Sequence, residues 1–272
     1  MSDSAPVVRS VELSNGVKLP YAEHGDPSGV PIVLVHAIAD SWYSFERVLL
    51  HLPNSIHAIA ITQRGHGDAS RPAEGYRPHD FVEDLAAFMD VLHLEEAIIA
   101  GGSSGGFVAR RFAIDYPDRT LGLVLLGSPA ILRDKPGVLE MWESTVSKLT
   151  DPVDPGFVRE FAESTLAQRV PLEFMETMVQ ENLKVPARVW KATFEGLLED
   201  DSFGALNRIV APTLIIWGDR DAFLPRADQE KLQAAITGSR LVVYPGSGHA
   251  VYWEEPYRVA SDLASFIEEL TK

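Results

Sequence analysis

The feature that most constrains this chain is a change from strand to helix within residues 98–113, IIAGGSSGGFVARRFA. Apolar residues suited to a buried strand come first, and apolar residues at helical spacing follow the glycines. Gly101, Ser103 and Gly105 match the pattern Gly-x-Ser-x-Gly, in which a serine occupies a strained turn at the end of a strand. Glycines fit there because the strand and helix backbones pass too closely for side chains. The sequence therefore predicts a strand, a sharp turn and a helix.

A flexible glycine-serine loop is the alternative interpretation of this stretch, since so short a pattern also arises by chance. The strand pattern before it and the helical pattern after it favour the turn. The start of the following helix presents unpaired N–H groups, which favour negative charge developing beside Ser103. Ser103 is therefore the candidate nucleophile.

Length and composition restrict the class of protein. The 272 residues, 46% hydrophobic and 23% charged, suit one globular α/β domain with an insertion, or two small domains. The sequence has no cysteine, no apolar run near the ~20 residues that span a membrane, and no signal-peptide pattern in its first ten residues. A formal net charge of −15 argues against nucleic acid or an anionic membrane as partner. We expect a cytoplasmic protein with a small-molecule substrate.

Strand and helix patterns alternate along most of the chain. Residues 7–13 and 17–22 alternate apolar and polar side chains around an Asn-Gly turn, which predicts an antiparallel hairpin at a sheet edge. Buried strands are predicted at residues 31–35, 57–61, 98–100, 121–126, 213–217 and 241–244. Helical patterns lie between them and after the last one. The order predicts a mostly parallel, eight-stranded sheet with helices on both faces.

Residues 131–208 interrupt this alternation with helical patterns rich in aromatic and methionine side chains. We expect them to form a helical cap inserted between two parts of a core domain, residues 1–130 and 209–272. A cap over the sheet supplies the dry cavity in which an oxyanion is well stabilised. Packing of the cap onto the core is the alternative role for its large side chains. The candidate pocket residues are Trp42, Met141, Trp142, Phe161, Met175, Met178, Trp190 and Phe223.

A nucleophilic serine needs a base to take its proton and a carboxylate to orient that base. Where the serine lies in a turn of this kind, the acid and then the histidine follow it along the chain. Only one of the eight histidines, His249, follows Ser103, and it comes directly after the last predicted strand. A structural histidine is the alternative. Asp219 and Asp221 both follow predicted strand 213–217, and spacing alone does not separate them.

Two N–H donors are needed for the oxyanion of an acyl-transfer intermediate. They come typically from the residue after the nucleophile and from a loop after an earlier strand. Ser104 and the loop His36-Ala37-Ile38 occupy those positions. An ordinary strand-to-helix connection is the alternative for the loop.

Four motifs, in order, resemble those of the α/β-hydrolase superfamily, and the resemblance covers nearly the whole chain. They are the His36 loop, Arg-Gly-x-Gly at residues 64–67, the turn at residues 101–105, and Gly-Asp-x-Asp followed by Gly-His. The resemblance implies the α/β-hydrolase fold, no cofactor and no metal. It also implies Asp221 as the acid of a Ser-His-Asp triad, with an oxyanion hole formed by the backbone N–H groups of Ile38 and Ser104.

The chain departs from the family pattern at several positions, and these differences bear on which substrate is bound and not on the mechanism. Ala37 replaces a usual glycine, Thr62 replaces a common aspartate, and Gly102 and Ser104 stand where histidine and a bulkier apolar residue are frequent. Other segments resemble epoxide hydrolases and dehalogenases, which use an aspartate as nucleophile. The serine at position 103 indicates acyl transfer instead.

The sequence thus predicts a serine esterase or lactonase that cleaves a small or medium carboxylic ester or lactone through an acyl-enzyme. C–C bond hydrolysis and cofactor-free perhydrolysis are alternatives within the same fold. A ligand-binding protein with little turnover, as in plant hormone receptors that resemble this superfamily, is the alternative from another class.

A fluorophosphonate probe should label Ser103 and no other serine, because only an activated hydroxyl attacks the phosphorus. Peptide mass mapping of the labelled chain identifies the modified residue. Labelling at Ser104, or labelling that persists in Ser103→Ala, would falsify the assignment of the nucleophile.

Overall fold

A computed structural model describes residues 5–272. Its eight strands form one sheet in the order β1-β2-β4-β3-β5-β6-β7-β8. β1 pairs with β2 and β2 with β4 in antiparallel fashion, and the remaining pairs are parallel. The predicted α/β-hydrolase fold, with its mostly parallel sheet of eight strands, is confirmed. The strands are β1 (Val7–Glu12), β2 (Lys18–His24), β3 (Val30–Val35), β4 (Ile56–Ile61), β5 (Ala97–Gly102), β6 (Thr120–Leu126), β7 (Thr213–Gly218) and β8 (Arg240–Tyr244).

Helices cover both faces of the sheet. In chain order they are α1 (Glu46–Leu49), α2 (Pro78–Val91), α3 (Gly105–Asp115), α4 (Pro136–Ser144), α5 (Pro155–Ser164), α6 (Leu172–Leu183), α7 (Ala187–Glu199), α8 (Arg226–Ala235), α9 (Val251–Glu254) and α10 (Pro256–Leu270). α2 and α3 pack against each other, and α1, α9 and α10 form a second group. Among the helices of residues 5–272, none is both long enough and apolar enough to cross a membrane.

The burial of the strands follows their position in the sheet. Every residue of β4, β5 and β7 is buried, because parallel strands with helices on both faces have no solvent side. β1 is exposed along nearly its whole length, in agreement with the predicted edge hairpin. The turn of that hairpin includes Gly16 with a φ of 79°, which glycine adopts at no steric cost.

Strand order also determines where a ligand site forms. After β3 the chain adds β4 on one side and then β5 on the other, so the strand order reverses between β3 and β5. In open α/β sheets, ligands bind at the carboxyl ends of the strands beside such a reversal. The loops after β3, β5, β7 and β8 all leave the sheet at this edge. They contain Ile38, Ser103, Asp221 and His249.

Helices α4 to α7 lie between β6 and β7, within residues 131–208, which we call the cap segment. Arg110 of α3 connects the core to the end of this segment. Its buried guanidinium donates to Asp200 Oδ2 at 2.8 Å, to Ser202 Oγ at 2.9 Å, and to the carbonyls of Pro129 and Ala130 at 2.9 Å each. Both charges of this ion pair are buried, so each depends on the other for compensation.

Replacing Arg110 with methionine should lower the free energy of unfolding by about 3–5 kcal/mol, because Asp200 then stays buried without its cation. Urea denaturation measures the change. Arg226→Met is the matched control, since Arg226 pairs with Glu230 on the surface and its loss should cost under about 1 kcal/mol. Equal destabilisation by the two variants would contradict a supporting role for the buried pair.

Candidate active site

Ser103 lies at the tip of the turn between β5 and α3 with a φ of 48°, in the left-handed region that non-glycine residues rarely adopt. Its N–H donates to the Leu126 carbonyl at 2.8 Å. A Cβ atom at Gly101 would collide with the backbone of Gly105, and one at Gly105 would collide with the Val35 carbonyl. The close passage of strand and helix that the glycine spacing predicts is therefore present.

A chain of two hydrogen bonds joins Ser103, His249 and Asp221. His249 Nε2 lies 2.7 Å from Ser103 Oγ, and His249 Nδ1 lies 2.8 Å from Asp221 Oδ2. The Asp221 side chain is fully buried. Because a carboxylate only accepts, His249 Nδ1 donates to Asp221 and Nε2 is left to accept the Ser103 proton.

The two candidate aspartates have different contacts. Asp221 Oδ1 accepts from the N–H groups of Phe223 at 2.8 Å and Leu224 at 2.9 Å, which leaves Oδ2 facing His249. Asp219 is exposed and accepts from the Gly246 N–H at 2.6 Å. The structure thus brings Asp221, and not Asp219, to the histidine.

Contacts from the cap segment and from α9 hold the loop that carries His249. The Thr165 carbonyl, at the end of α5, accepts from the N–H groups of His249 at 2.9 Å and Ala250 at 3.2 Å. Glu254 Oε2 accepts from the Gly248 N–H at 2.6 Å. Sequence reasoning missed Thr165 and Glu254, because nothing in their local pattern marks a contact with a distant loop.

The two predicted oxyanion residues lie side by side. The Ile38 N–H donates to Ser104 Oγ at 2.7 Å. Ser104 stands at the N-terminus of α3, where helix N–H groups lack carbonyl partners within the helix. Both residues line the same cavity as Ser103, and in this structure the Ile38 N–H is bonded to the Ser104 side chain.

His36 fixes the shape of the loop that carries Ile38. Its Nδ1 lies 2.7 Å from the Ala37 carbonyl, and its Nε2 accepts from the Gln63 N–H at 2.9 Å. Burial, with a smaller contribution from His66, lowers the pKa of His36 well below the ordinary histidine value. His36 is thus neutral and serves as both donor and acceptor.

A cavity of about 90 Å³ opens onto Ser103 and His249. Most of its wall is apolar and comes from both the core and the cap segment. Of the side chains expected to contact substrate, Met141, Phe161 and Phe223 line this cavity. Phe194 and Trp253, which sequence reasoning did not single out, line it as well.

Five of the candidate pocket residues lie outside the lining of this cavity: Trp42, Trp142, Met175, Met178 and Trp190. Trp190 is fully buried, with its ring 5.2 Å from that of Phe161. Trp142 stacks on Phe194 at 5.8 Å, behind the cavity wall, and Trp42 contacts Tyr43 at 5.5 Å. Met175 and Met178 are buried in α6. The amphipathic faces of these elements pack on neighbouring elements, as in the alternative role.

Comparison with known proteins identifies the family. Residues 30–256 match the family model for the alpha/beta hydrolase fold. The chain belongs to the α/β-hydrolase family. Family members similar to it include the AB hydrolase superfamily protein YisY of Bacillus subtilis, 27% identical over 88% of this chain and 91% of that protein.

Two further family members have names that describe an activity. A monoacylglycerol lipase of Xenopus laevis, abhd6-B, is 25% identical over 93% of this chain and 80% of its own length. The solved structure of a thermophilic esterase from Thermogutta terrifontis is 25% identical, with a TM-score of 0.84 over 98% of this chain and 100% of that one. Similarity to these proteins makes hydrolase activity the expectation for this α/β hydrolase.

Asp221→Asn should lower kcat by about 10⁴-fold, because the amide no longer holds His249 in the productive tautomer. Asp219→Asn is the matched control and should change kcat by less than about threefold, since Asp219 contacts only a backbone N–H. Steady-state kinetics on p-nitrophenyl butyrate compares the two. The reverse ranking would overturn Asp221 as the acid.

Proposed function

We propose that this α/β hydrolase is a serine esterase that cleaves a small carboxylic ester or lactone through an acyl-enzyme on Ser103. The observation that carries the proposal is the continuous hydrogen-bond chain from Asp221 through His249 to Ser103, with distances of 2.8 and 2.7 Å. A serine hydroxyl becomes a strong nucleophile only with such a base, held by such an acid.

In the first step His249 Nε2 takes the proton of Ser103 as the serine oxygen bonds to the ester carbonyl carbon. The electron pair of the carbonyl π bond moves to the carbonyl oxygen, which becomes an oxyanion. The Ile38 N–H exchanges its bond to Ser104 Oγ for one to that oxyanion, and the Ser104 N–H donates to it as well. Asp221 keeps His249 oriented and stabilises its positive charge.

Collapse of the intermediate breaks the bond between the carbonyl carbon and the alcohol oxygen. His249 gives its proton to the departing alkoxide, and the acyl group stays on Ser103 as an ester. Water then attacks that ester while His249 takes one of its protons. As the second intermediate collapses, the bond between the carbonyl carbon and Ser103 Oγ breaks, His249 returns its proton to Ser103, and the carboxylic acid is released.

Cavity size and polarity support a short, neutral substrate. About 90 Å³ is less than the 150 Å³ cavity that accommodates a benzene molecule in an engineered protein, so it suits a short acyl group better than a long chain. Among the described residues that line the cavity, none is lysine or arginine. An anionic substrate would lose its hydration there without gaining a cation. The names of the lipase and esterase relatives support ester cleavage.

Purified protein should turn over p-nitrophenyl acetate and butyrate many times and prefer both to the decanoate in kcat/KM, because a cavity of this volume accommodates a short acyl group better than a long one. Ser103→Ala and His249→Ala should each lower kcat by about 10⁴-fold or more, and the double variant should lose little beyond either. Ser10→Ala, on the exposed edge strand, is the matched control and should behave as wild type.

One stoichiometric release of nitrophenol without turnover would contradict the proposal and favour a ligand-binding protein. Turnover that survives in Ser103→Ala would place the chemistry on another residue.

A further inference from the structure

One wall of the cavity is polar, although the rest is mainly apolar. Asp40, Asn182 and Tyr252 line it together with Ser103. All three are buried, with exposed fractions of 4%, 1% and 2%. Asp40 follows the oxyanion loop after β3, Asn182 comes from α6 in the cap segment, and Tyr252 comes from α9. Three separate elements therefore contribute to this wall.

The hydrogen bonds of this wall are incomplete. Asn182 Nδ2 donates to the Ala39 carbonyl at 3.0 Å and to Asp40 Oδ1 at 3.2 Å. Within residues 5–272, Asp40 Oδ2, Asn182 Oδ1 and the Tyr252 hydroxyl have no hydrogen-bond partner. Buried polar groups are nearly always paired. Polar groups without a protein partner on the wall of a cavity take their partner from what occupies the cavity, either water or a ligand.

Burial disfavours charge on this wall. Burial raises the pKa of Asp40 well above the ordinary carboxyl value and so favours its uncharged form, in which it can donate its O–H. Burial, and then the proximity of Asp40, raise the pKa of Tyr252, which remains a neutral phenol. With the Asn182 carbonyl, the wall offers neutral donors and acceptors together. A hydroxyl group, which both donates and accepts, is their complement.

The polar wall lies beside the reacting atoms. Asp40 is two residues after Ile38, and Ala39 between them turns the loop with a φ of 68°. A Cβ atom built on Gly102, the neighbour of Ser103, would lie 2.8 Å from the Tyr252 ring. A group bound by Asp40 and Tyr252 is therefore close to the bond that Ser103 attacks.

We propose that Asp40, Asn182 and Tyr252 form a subsite for a substrate hydroxyl, so that the preferred substrate is a short, neutral ester with a hydroxyl group near the scissile bond. This inference rests on the proposed esterase function and names its substrate class. The hydroxyl belongs either to the acyl group or to the alcohol, and both have the same hydrogen-bonding chemistry.

Two matched pairs of esters distinguish a hydroxyl on the acyl group from one on the alcohol. Within each pair, one hydroxyl is exchanged for a methyl group. Ethyl 3-hydroxybutyrate against ethyl 3-methylbutyrate tests the acyl side. 2-Hydroxyethyl butyrate against propyl butyrate tests the alcohol side. In at least one pair, wild type should favour the hydroxyl ester by about tenfold or more in kcat/KM, because the methyl analogue leaves buried polar groups unpaired.

Variants of the polar wall test whether it causes the preference for the hydroxyl ester. The quantity compared is the ratio of kcat/KM for the hydroxyl ester to kcat/KM for its methyl analogue. Tyr252→Phe and Asp40→Leu should each reduce this ratio several-fold. Asp40→Asn should retain most of it, since an amide also donates and accepts hydrogen bonds. Tyr244→Phe is the matched control, because the Tyr244 hydroxyl donates to Asp262 away from the cavity, and its ratio should equal that of wild type. Tyr252→Phe removes only the hydroxyl and keeps the buried ring, so it tests the subsite even if Asp40→Leu fails to fold.

Ratios of kcat/KM near one for both ester pairs in wild type would overturn the subsite. So would ratios that are unchanged in Tyr252→Phe and Asp40→Leu. Both outcomes leave the proposed esterase function standing. No turnover of any of the four esters, nor of p-nitrophenyl butyrate, would overturn the esterase proposal and the subsite with it.

Discussion

The left-handed backbone of Ser103, with a φ of 48°, is the constraint on which the site depends. Such a conformation costs a non-glycine residue about 1–2 kcal/mol, so the surrounding structure must hold it. The hydrogen bond to Leu126 and the close contact of β5 with α3 at Gly101 and Gly105 provide that support. The strain is offset by packing in the core and directs the hydroxyl away from the sheet, towards His249.

The cap segment contributes to the site in two ways. The Thr165 carbonyl holds the N–H of His249, and so the base that faces Ser103 depends on a contact outside the sheet. Side chains such as Phe161 and Phe194 form part of the apolar wall of the cavity that opens onto Ser103. Exclusion of water strengthens each hydrogen bond to a developing oxyanion. A contact that holds the His249 loop and part of the apolar cavity wall therefore come from one inserted segment.

The sheet, the sharp turn and His249 follow from local pattern and chain order, which is why the sequence predicts them. The choice between Asp219 and Asp221 needed a family resemblance, because both follow β7 and only their contacts differ. The residues of the cavity wall could not be predicted from the sequence. Periodicity shows that Trp190 lies on the apolar face of a helix, but not which element that face meets. Asp40 likewise looks like any loop carboxylate until Asn182 and Tyr252 surround it.

Ester cleavage by the proposed mechanism requires an acyl group carried by Ser103 during turnover. Rapid acid quenching of the protein with p-nitrophenyl butyrate, followed by intact-mass and peptide analysis, tests this most directly. We expect a mass increase equal to one butyryl group, located on Ser103, at a level that falls as the substrate is exhausted. Turnover of the same ester with no acylated protein at any time, or with the acyl group on a different residue, would contradict it.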